Sequence, residues 1–351
     1  MIPIVVKGHE RPINQLKYNT DGDLLFSISH DRRVCIWFSD TGELFGTTDK
    51  HGGAVNCIDI DRKSTFFITC STDFAIQFWN LKTGELLEYE HENKEGEVVR
   101  GPMRIKYSAI PRFLQIHPDE NKLLLVQDTK MNQPSAIVIY DIDMHDLENP
   151  VLKQNKVIYP KGSPYVKAVW TYDGKRIIAA HQDGSVSRTC VETGECELSA
   201  KVHNDNIVDL QMSQDRSYFI TASRDETAVL LPVDGDFQTM KKKFQGDTGL
   251  NSAAISPIKD IIIAGGGKKS IEVTTSSGGK FEAHFFNKLF QADLGRVGGH
   301  FGPINSIAIH PYGTSYASGS EDGTIRIHHF DKSYFEFDYN EVIKEGVEDT
   351  E

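Results

Sequence analysis

Short apolar segments alternate with polar positions along most of the chain, and turn residues separate them. Near the start, residues 13–18, 24–29 and 33–37 alternate apolar with polar or small side chains and are rich in strand-forming residues. Turn-forming Asp, Thr and Gly occupy residues 20–23 and 40–42. The pattern predicts an all-β chain of short antiparallel strands joined by tight turns.

A polar motif recurs four times on this background. Each copy has a His, a Ser or Thr 18 residues later, and an Asp 22 residues after the His. A Trp follows 28 residues after the His in the first two copies, whereas Leu231 and His328 hold that place in the others. Units with about four strands and this motif are typical of the blades of a WD-repeat β-propeller. The motif residues are His9, Ser27, Asp31 and Trp37; His51, Thr69, Asp73 and Trp79; His203, Thr221 and Asp225; and His300, Ser318 and Asp322.

The motif suggests a buried hydrogen-bond network within each blade. The Asp can accept a hydrogen bond from the His, the His can reach the hydroxyl, and the hydroxyl can reach the Trp N–H. Such a network stabilises a protein only when its members are all satisfied. Because one His–Asp pair recurs four times, we interpret it as structural and predict no catalytic residues and no enzyme activity.

Three further blades with weaker signals fill the gaps between the motifs. Long loops are expected at 129–134 and 265–280. The three weaker blades and the four motif blades together predict a seven-bladed β-propeller over residues 1–335, followed by an acidic tail at 336–351. An open sheet edge invites aggregation, so we expect strand 2–6 to close the ring as the outer strand of the last blade. The predicted strands of the weaker blades are 112–118, 122–127 and 136–141; 165–171, 176–181 and 185–189; and 250–256, 260–264 and 281–287.

Composition narrows the function classes. The 351 residues include 50 Asp and Glu against 38 Lys and Arg, for a formal charge of −12, which disfavours general nucleic-acid binding and favours basic protein partners. Five Cys without a CxxC pair predict reduced core thiols, with neither disulfides nor a zinc site. The apolar start is too short for a signal peptide, and no apolar run reaches the roughly 20 residues that span a bilayer. We expect a soluble intracellular protein without a cofactor.

Two local patterns resemble ligand sites. The neighbours His328 and His329 point to opposite faces of a strand, which disfavours a shared metal site with His300 and His310. The glycines at 265–267 lack the GxxxxGK[ST] spacing of a phosphate-binding loop. Neither pattern predicts a metal or a nucleotide.

Several longer segments resemble the i subunit of eukaryotic translation initiation factor three. The resemblance covers about residues 1–340 and is weakest in the third blade. Lys50 precedes His51 where the family usually has Gly, and residues 268–272 also differ from the family's loop. The segments that carry the resemblance are 8–19, 22–26, 265–267 with 273–275, 279–286, 294–305, 313–323 and 325–330.

The resemblance implies a cytoplasmic, non-catalytic scaffold subunit. It implies binding to the b and g subunits of the same factor and support of preinitiation-complex assembly and scanning on the small ribosomal subunit. A C-terminal helix of the b subunit is expected near the fifth and sixth blades. No homo-oligomer, membrane contact or sequence-specific nucleic-acid contact is expected. The alternatives are a WD-repeat adaptor in signalling or ubiquitin-ligase complexes, and a propeller hydrolase with unpaired carboxylates or a metal in its channel.

A partner-binding surface is predicted on the fifth blade. Asp209 lies on the first strand of this blade, and Arg224 and Asp225 lie at its tight turn. We expect both carboxylates near one rim, where a basic helix could dock and gain orientation from charge pairing. The alternative for Asp225 is that it only holds His203.

Overall fold

The structure is a ring of seven four-stranded antiparallel sheets, in agreement with the predicted β-propeller. The computed structural model describes residues 2–92, 97–129, 133–267 and 281–336. The first strand along the chain is β1 (Ile4–Lys7). Blade 1 contains β2 (Ile13–Tyr18), β3 (Leu24–Ser29), β4 (Val34–Phe38) and β5 (Leu44–Thr47). Blade 2 contains β6 (Val55–Ile60), β7 (Phe66–Ser71) and β8 (Ala75–Asn80), then a separate hairpin of β9 (Glu88–Glu92) and β10 (Val98–Pro102), and the outer strand β11 (Arg104–Lys106).

The later blades repeat this order from the channel outward. Blade 3 contains β12 (Pro111–Ile116), β13 (Lys122–Gln127), β14 (Ala136–Asp143) and β15 (Val151–Ile158). Blade 4 contains β16 (Tyr165–Trp170), β17 (Arg176–His181), β18 (Ser185–Cys190) and β19 (Cys196–Lys201). Blade 5 contains β20 (Ile207–Met212), β21 (Tyr218–Ser223), β22 (Thr227–Pro232) and β23 (Lys242–Gln245). Blade 6 contains β24 (Leu250–Ile255), β25 (Ile261–Gly266), β26 (Ala283–Asn287) and β27 (Asp293–Val297), and blade 7 contains β28 (Ile304–Ile309), β29 (Ser315–Ser320) and β30 (Thr324–His329) before the helix α1 (Lys332–Glu336).

The two ends of the propeller chain meet in blade 7. β1 pairs antiparallel with β30, with Ile4 opposite Ile327 and Val6 opposite Ile325. The predicted closure is therefore confirmed, although the strand covers Ile4–Lys7 and not residues 2–6. Every blade has four strands because the N-terminal strand completes the last one.

The turn between the first two strands contains a left-handed residue in six blades. Backbone φ is 77° at Gly22, 61° at Gly174 and 65° at Gly313, where glycine adopts this conformation without a Cβ clash. In blade 5 the same place is taken by Arg216, with φ of 55°. Ser64 and Glu120 take it in blades 2 and 3.

Apolar side chains fill the spaces between neighbouring blades. The second strands β3 and β7 are buried at every position, because a blade lies on each face of the sheet. Separate clusters lie between blades 7 and 1, 1 and 2, 5 and 6, and 6 and 7. A single larger cluster continues from Cys57 in blade 2 through blades 3 and 4 to Phe237 in blade 5.

Some sequence expectations need correction. The hairpin of β9 and β10 was not predicted, and Gly265 and Gly266 belong to β25, not to a loop. Cys35, Cys57 and Cys70 are buried thiols, whereas Cys190 and Cys196 are only half-buried, near the outer edge of blade 4. Most of the two expected loops, at 130–132 and 268–280, and all but Glu336 of the expected tail, at 337–351, lie outside the described residues.

Candidate functional site

The first motif forms a continuous hydrogen-bond chain. His9 Nδ1 lies 2.8 Å from an Asp31 carboxylate oxygen, and His9 Nε2 lies 2.8 Å from Ser27 Oγ. Because a carboxylate only accepts, Nδ1 carries the proton and Nε2 accepts from the Ser27 hydroxyl. Trp37 Nε1 donates to the same oxygen at 2.8 Å. The chain ties the loop before β2 to β3, β4 and the turn between them.

The second motif has the same contacts to the hydroxyl but lacks the hydrogen bond between the His and the Asp carboxylate. His51 Nε2 and Trp79 Nε1 each lie 2.8 Å from Thr69 Oγ1. His51 Nδ1 is 3.7 Å from Asp73, too far for a hydrogen bond, while Arg104 of β11 donates to the same carboxylate oxygen at 2.8 Å. Asp73 thus links its turn to the outer strand of blade 2.

The third motif replaces the Trp contact with a second hydroxyl. His203 Nε2 lies 2.8 Å from Thr221 Oγ1, and His203 Nδ1 lies 2.9 Å from Thr227 Oγ1 and 3.2 Å from both Asp225 oxygens. Leu231, at the Trp position, is fully buried. Burial lowers the pKa of His203 and so favours the neutral ring, although Asp225 acts in the opposite direction.

The fourth motif has a histidine in place of the Trp. His300 Nε2 lies 2.8 Å from Ser318 Oγ, and His300 Nδ1 lies 3.4 Å from Asp322. His328 is buried and stacks on Tyr316 with ring centroids 4.7 Å apart. Burial lowers the pKa of His328 to about 4, so this ring is neutral near pH 7 and packs as a core aromatic.

The motif carboxylates are held in their ionised form. Burial acts to raise the pKa of Asp31, but the hydrogen bonds that Asp31 accepts from His9 and from the Arg33 and Glu10 N–H groups outweigh burial and hold that pKa below its usual range. The same balance lowers the pKa of Asp225, where Thr227 and the Asn204 N–H donate. The His9 and His203 side chains have no exposed surface, so neither histidine is accessible to a substrate.

A buried histidine of blade 4 that contacts a serine hydroxyl was not predicted from the sequence. His181, on β17 of blade 4, donates from Nδ1 to the Ser163 carbonyl at 2.8 Å and accepts at Nε2 from the Ser187 hydroxyl at 2.8 Å. It therefore enters the blade from the second strand and not from the preceding loop. The segment His-Gln-Asp-Gly-Ser at 181–185 was the available signal.

Asparagines join neighbouring blades at the start of the inner strands. In four blades the second inner-strand residue is Asn, and its Nδ2 donates to the carbonyl of the first inner-strand residue of the next blade. Blades 3, 4 and 5 have Arg112, Val166 and Val208 at this position. The four contacts are Asn14 to Val55 at 2.6 Å, Asn56 to Pro111 at 2.9 Å, Asn251 to Ile304 at 3.0 Å, and Asn305 to Ile13 at 3.0 Å.

The third residue of each inner strand forms a closed ring of contacts between blades, which we call the inner belt. At three junctions this side chain accepts a hydrogen bond from a backbone N–H of the next blade: Gln15 Oε1 accepts from Ile58 at 3.0 Å, Ser252 Oγ from Ile307 at 3.0 Å, and Ser306 Oγ from Leu16 at 2.9 Å. The belt consists of Gln15, Cys57, Phe113, Lys167, Asp209, Ser252 and Ser306.

The remaining belt contacts complete the ring. Cys57 Sγ donates to the Leu114 carbonyl at 3.4 Å. Lys167 Nζ lies 4.8 Å from the centre of the Phe113 ring and 2.6 Å from Asp209 Oδ1, and Ser252 donates to Asp209 Oδ2 at 2.7 Å. The belt therefore binds all seven blades to one another around the channel.

Asp209, Arg224 and Asp225 do not form a common acidic surface. The Asp209 side chain is 11% exposed and pairs with Lys167, and the Asp225 side chain is 8% exposed and faces His203. Arg224 is exposed at the channel mouth where the inner strands begin. Their role as partner contacts remains a prediction, and both carboxylates already have partners within the chain.

The central channel is lined by more cations than carboxylates. Its cavity volume is about 870 Å³. Arg112 pairs with Asp128 at 2.8 Å, and Lys167 with Asp209. The cationic lining residues are Lys17, Arg112, Lys167, Arg216 and Arg224, against the carboxylates Asp128 and Asp209.

The described residues contain no group of three His, Cys, Asp or Glu side chains arranged to hold a metal ion. Across the same residues, no helix is both long and apolar enough to cross a membrane.

Comparisons with known proteins agree with one another. The family model EIF3I matches residues 1–340. Eukaryotic translation initiation factor 3 subunit I of Kluyveromyces lactis is 43% identical over 348 residues, covering 97% of this chain and 95% of that protein. The subunit of Aspergillus oryzae is 43% identical over 351 residues, covering 99% of each chain. That of Neurospora crassa is 44% identical over 344 residues, covering 97% of this chain and 94% of its own.

A solved structure supports the fold. The β-propeller domain of Cps50 (Swd1) from Myceliophteria thermophila superimposes with a TM-score of 0.73, covering 94% of this chain and all of that domain. The two sequences are only 16% identical, so the similarity concerns the fold alone.

Proposed function

The chain belongs to the EIF3I family, and from this premise we propose that it is a non-catalytic scaffold subunit of cytoplasmic translation initiation factor 3. In this role it binds the b and g subunits and supports preinitiation-complex assembly and scanning on the small ribosomal subunit. The observation that carries the proposal is similarity over nearly the full length of both chains. The buried His–Asp pairs are consistent with a structural and not a catalytic use.

The rim of blades 5 and 6 offers a surface for a partner helix. Met240 is 60% exposed, Leu289 43% and Phe290 42%. Lys242 Nζ lies 3.3 Å from the Leu289 carbonyl and so links the outer part of blade 5 to the turn that carries Leu289 and Phe290. Exposed apolar side chains close together are typical of a surface that receives the apolar face of an amphipathic helix.

Charges of both signs accompany this rim. The side chain of Asp234, on the turn after β22, is 85% exposed and lies 3.4 Å from Arg176, and the partly exposed Asp260 pairs with Lys288 at 2.8 Å. Lys241 and Lys243 are exposed close to Met240 along the chain. Exposed charges around an apolar patch favour a helix with charged flanks, because charge pairing orients the partner as it docks. We propose this rim, and not Asp209, as the contact for the b-subunit helix that the family resemblance implies.

The test is a pull-down of the tagged chain from cytosol. We expect the wild type to recover initiation-factor subunits and small ribosomal subunits. Leu289→Asp with Phe290→Asp should lose the b subunit, because two charges would have to be buried against the helix. Leu44→Asp with Phe45→Asp is the matched control, since these residues are similarly exposed on blade 1.

The outcomes separate the alternatives. A circular-dichroism melt first establishes that each variant folds. Retention of the b subunit by the folded Leu289/Phe290 variant would place the contact elsewhere. Failure of the wild type to recover any initiation-factor subunit would contradict the role in translation and favour an adaptor in another complex.

A further inference from the structure

Two buried histidines lie in the turns at the end of the channel where the inner strands end. His310 directly follows β28 and is 7% exposed, and His117 directly follows β12 and is 6% exposed. The Tyr312 N–H donates to His310 Nδ1 at 3.1 Å, and the Asp119 N–H donates to His117 Nδ1 at 3.0 Å. Because Nδ1 accepts in both rings, each histidine is neutral and carries its proton on Nε2.

Each of these rings reaches the corresponding turn of the next blade. His310 Nε2 donates to the Gly22 carbonyl of blade 1 at 3.0 Å. His117 Nε2 lies against the backbone of Gly174 in blade 4. Neither glycine leaves room for a Cβ beside the ring. The same arrangement therefore joins blade 7 to blade 1 and blade 3 to blade 4.

The corresponding contacts at two other junctions contain no histidine. Asn19 donates to Ser64 Oγ at 3.0 Å between blades 1 and 2, and the Arg62 N–H donates to a Glu120 oxygen at 2.6 Å between blades 2 and 3. Among natural side chains, histidine is the one whose charge ordinarily changes between pH 5 and pH 8. The two histidine junctions thus differ from these two in their sensitivity to pH.

The surroundings of His310 favour the neutral ring. Burial is the largest effect and lowers its pKa, and His329 adds to this. The carbonyl that accepts from Nε2 and the Asp40 carboxylate act in the opposite direction but do not reverse the shift in pKa. The rings of Tyr18 and Tyr312 lie 5.2 Å and 5.7 Å away, centroid to centroid, and as neutral phenols they bring no charge.

His117 has comparable surroundings. Burial is again the largest effect and lowers its pKa, and Lys122 and Arg216 lower it further. Asp119 and the backbone that faces Nε2 act in the opposite direction. The Asp119 carboxylate is 3.8 Å from Nδ1, but its side chain is 75% exposed, so water weakens this attraction. Trp170 packs edge-on against the ring with centroids 4.8 Å apart.

We propose that His117 and His310 are a pair of pH-sensitive latches that release the turns of blades 4 and 1 when their rings are protonated. A proton on Nδ1 faces a backbone N–H, so the ring loses its acceptor and two donors point at each other. At this end the propeller then consists of two arcs, blades 1–3 and blades 4–7. The inner belt still joins all seven blades, so the change is a local opening and not unfolding. The latches do not depend on the proposed partner surface.

Hydrogen–deuterium exchange of the full chain, read by mass spectrometry at about pH 7.5 and about pH 5.5, tests the latches. An open turn leaves its histidine in water with an ordinary pKa, so opening becomes more favourable as pH falls below about 6.5. We expect protection of the turns at 20–23, 117–120, 172–175 and 310–313, corrected for intrinsic exchange rates, to fall by about threefold or more at the lower pH. The turn at 61–64 contains no histidine and, as the internal control, should change by less than about twofold.

Asparagine in place of both histidines separates titration from packing. Asn19 holds the corresponding position in blade 1, where its Oδ1 accepts from a backbone N–H without titrating. The variant His117→Asn with His310→Asn should show the same protection at both pH values, to within about twofold. His145→Asn removes an exposed histidine and should behave as the wild type does.

Three results would overturn the proposal. They are unchanged protection of the four turns in the wild type, an equal fall in protection at 61–64, and the same fall in the folded double variant. The first two comparisons use only the wild type, so they decide the matter even if the double variant does not fold.

Discussion

Blade 1 and blade 3 build the same four-strand sheet with different side chains. Blade 1 contains the chain from Asp31 through His9 and Ser27 to Trp37, and Asn14 joins it to blade 2. Blade 3 has no such motif, and all four residues of its second strand from Leu123 to Val126 are buried and apolar. Both arrangements form a complete blade, so a blade of this fold can be stabilised either by a polar network or by apolar packing.

The junctions between blades show the same contrast. Polar contacts of Asn14 and Gln15 link blade 1 to blade 2. Between blades 3 and 4, Phe113 and Lys167 form the belt contact, and Trp170 packs edge-on against His117 with ring centroids 4.8 Å apart. Hydrogen bonds at this junction come from Trp170, whose backbone N–H donates to Gln115 Oε1 at 2.8 Å and whose indole N–H donates to the Gln115 carbonyl at 3.3 Å. The continuous apolar cluster of blades 2 to 5 lies where the motif is weakest, which indicates that packing compensates for the missing hydrogen bonds.

The largest effect is expected in the apolar region. Trp170→Ala removes a fully buried indole and should cost about 3–5 kcal/mol of the free energy of unfolding, by lost transfer free energy and a residual cavity. Urea denaturation followed by circular dichroism measures the change. Trp170→Phe, which keeps most of the volume, should lose clearly less. A loss below about 1 kcal/mol for the alanine variant would show that apolar packing does not dominate this junction.

A smaller effect is expected from the polar network of blade 2. Thr69→Val removes the hydroxyl shared by His51 and Trp79 and should cost about 2–3 kcal/mol, because two buried groups lose their partner. Thr221→Val is the matched control in blade 5, where only His203 shares the hydroxyl through its ring nitrogen, and should cost about 1–2 kcal/mol. Equal losses in the same urea measurement would show that the Trp contact contributes nothing.

The network of blade 1 should depend on pH. Because the folded-state pKa of Asp31 lies below its ordinary value of 3.8, its ionised form stabilises the fold above that value, and this contribution is lost as pH falls through the folded pKa. Asp31→Asn lacks this contribution. The difference in unfolding free energy between wild type and variant should therefore narrow as pH falls from about 5 to about 2. A constant difference over that range would contradict the ionised network.

The smallest effect is expected at the Asn contacts between blades. Asn56→Ala removes the hydrogen bond to Pro111 and should cost about 0.5–1 kcal/mol, since this partly buried position lets water replace part of the contact. Asn155→Ala, at an exposed edge of blade 3, should stay within about 0.5 kcal/mol of wild type. If the two losses are equal, the Asn contact between blades has no special importance.

Much of the blade interior could be predicted from the sequence. The spacing from His9 to Ser27, Asp31 and Trp37 is local, and its recurrence at His51 indicates one structural unit. The missed hairpin of β9 and β10 is an insertion within a single blade, so no second copy could reveal it. His181 was also overlooked, because its position within blade 4 differs from that of the motif histidines and does not recur with their spacing.

The sequence by itself determined the number of blades and the hydrogen-bond motifs of four of them, because the same spacings recur from unit to unit. It also indicated the closure of the ring, because a strand precedes the first motif. Only the tertiary structure decided which side chains of different blades contact one another. Leu16 meets Ser306 across nearly the whole length of the chain. Asp209 pairs with a lysine of the preceding blade, and Arg216 reaches into a channel that exists only once the ring is closed. These contacts join strands that do not pair with each other, so no alternation or spacing along the chain encodes them.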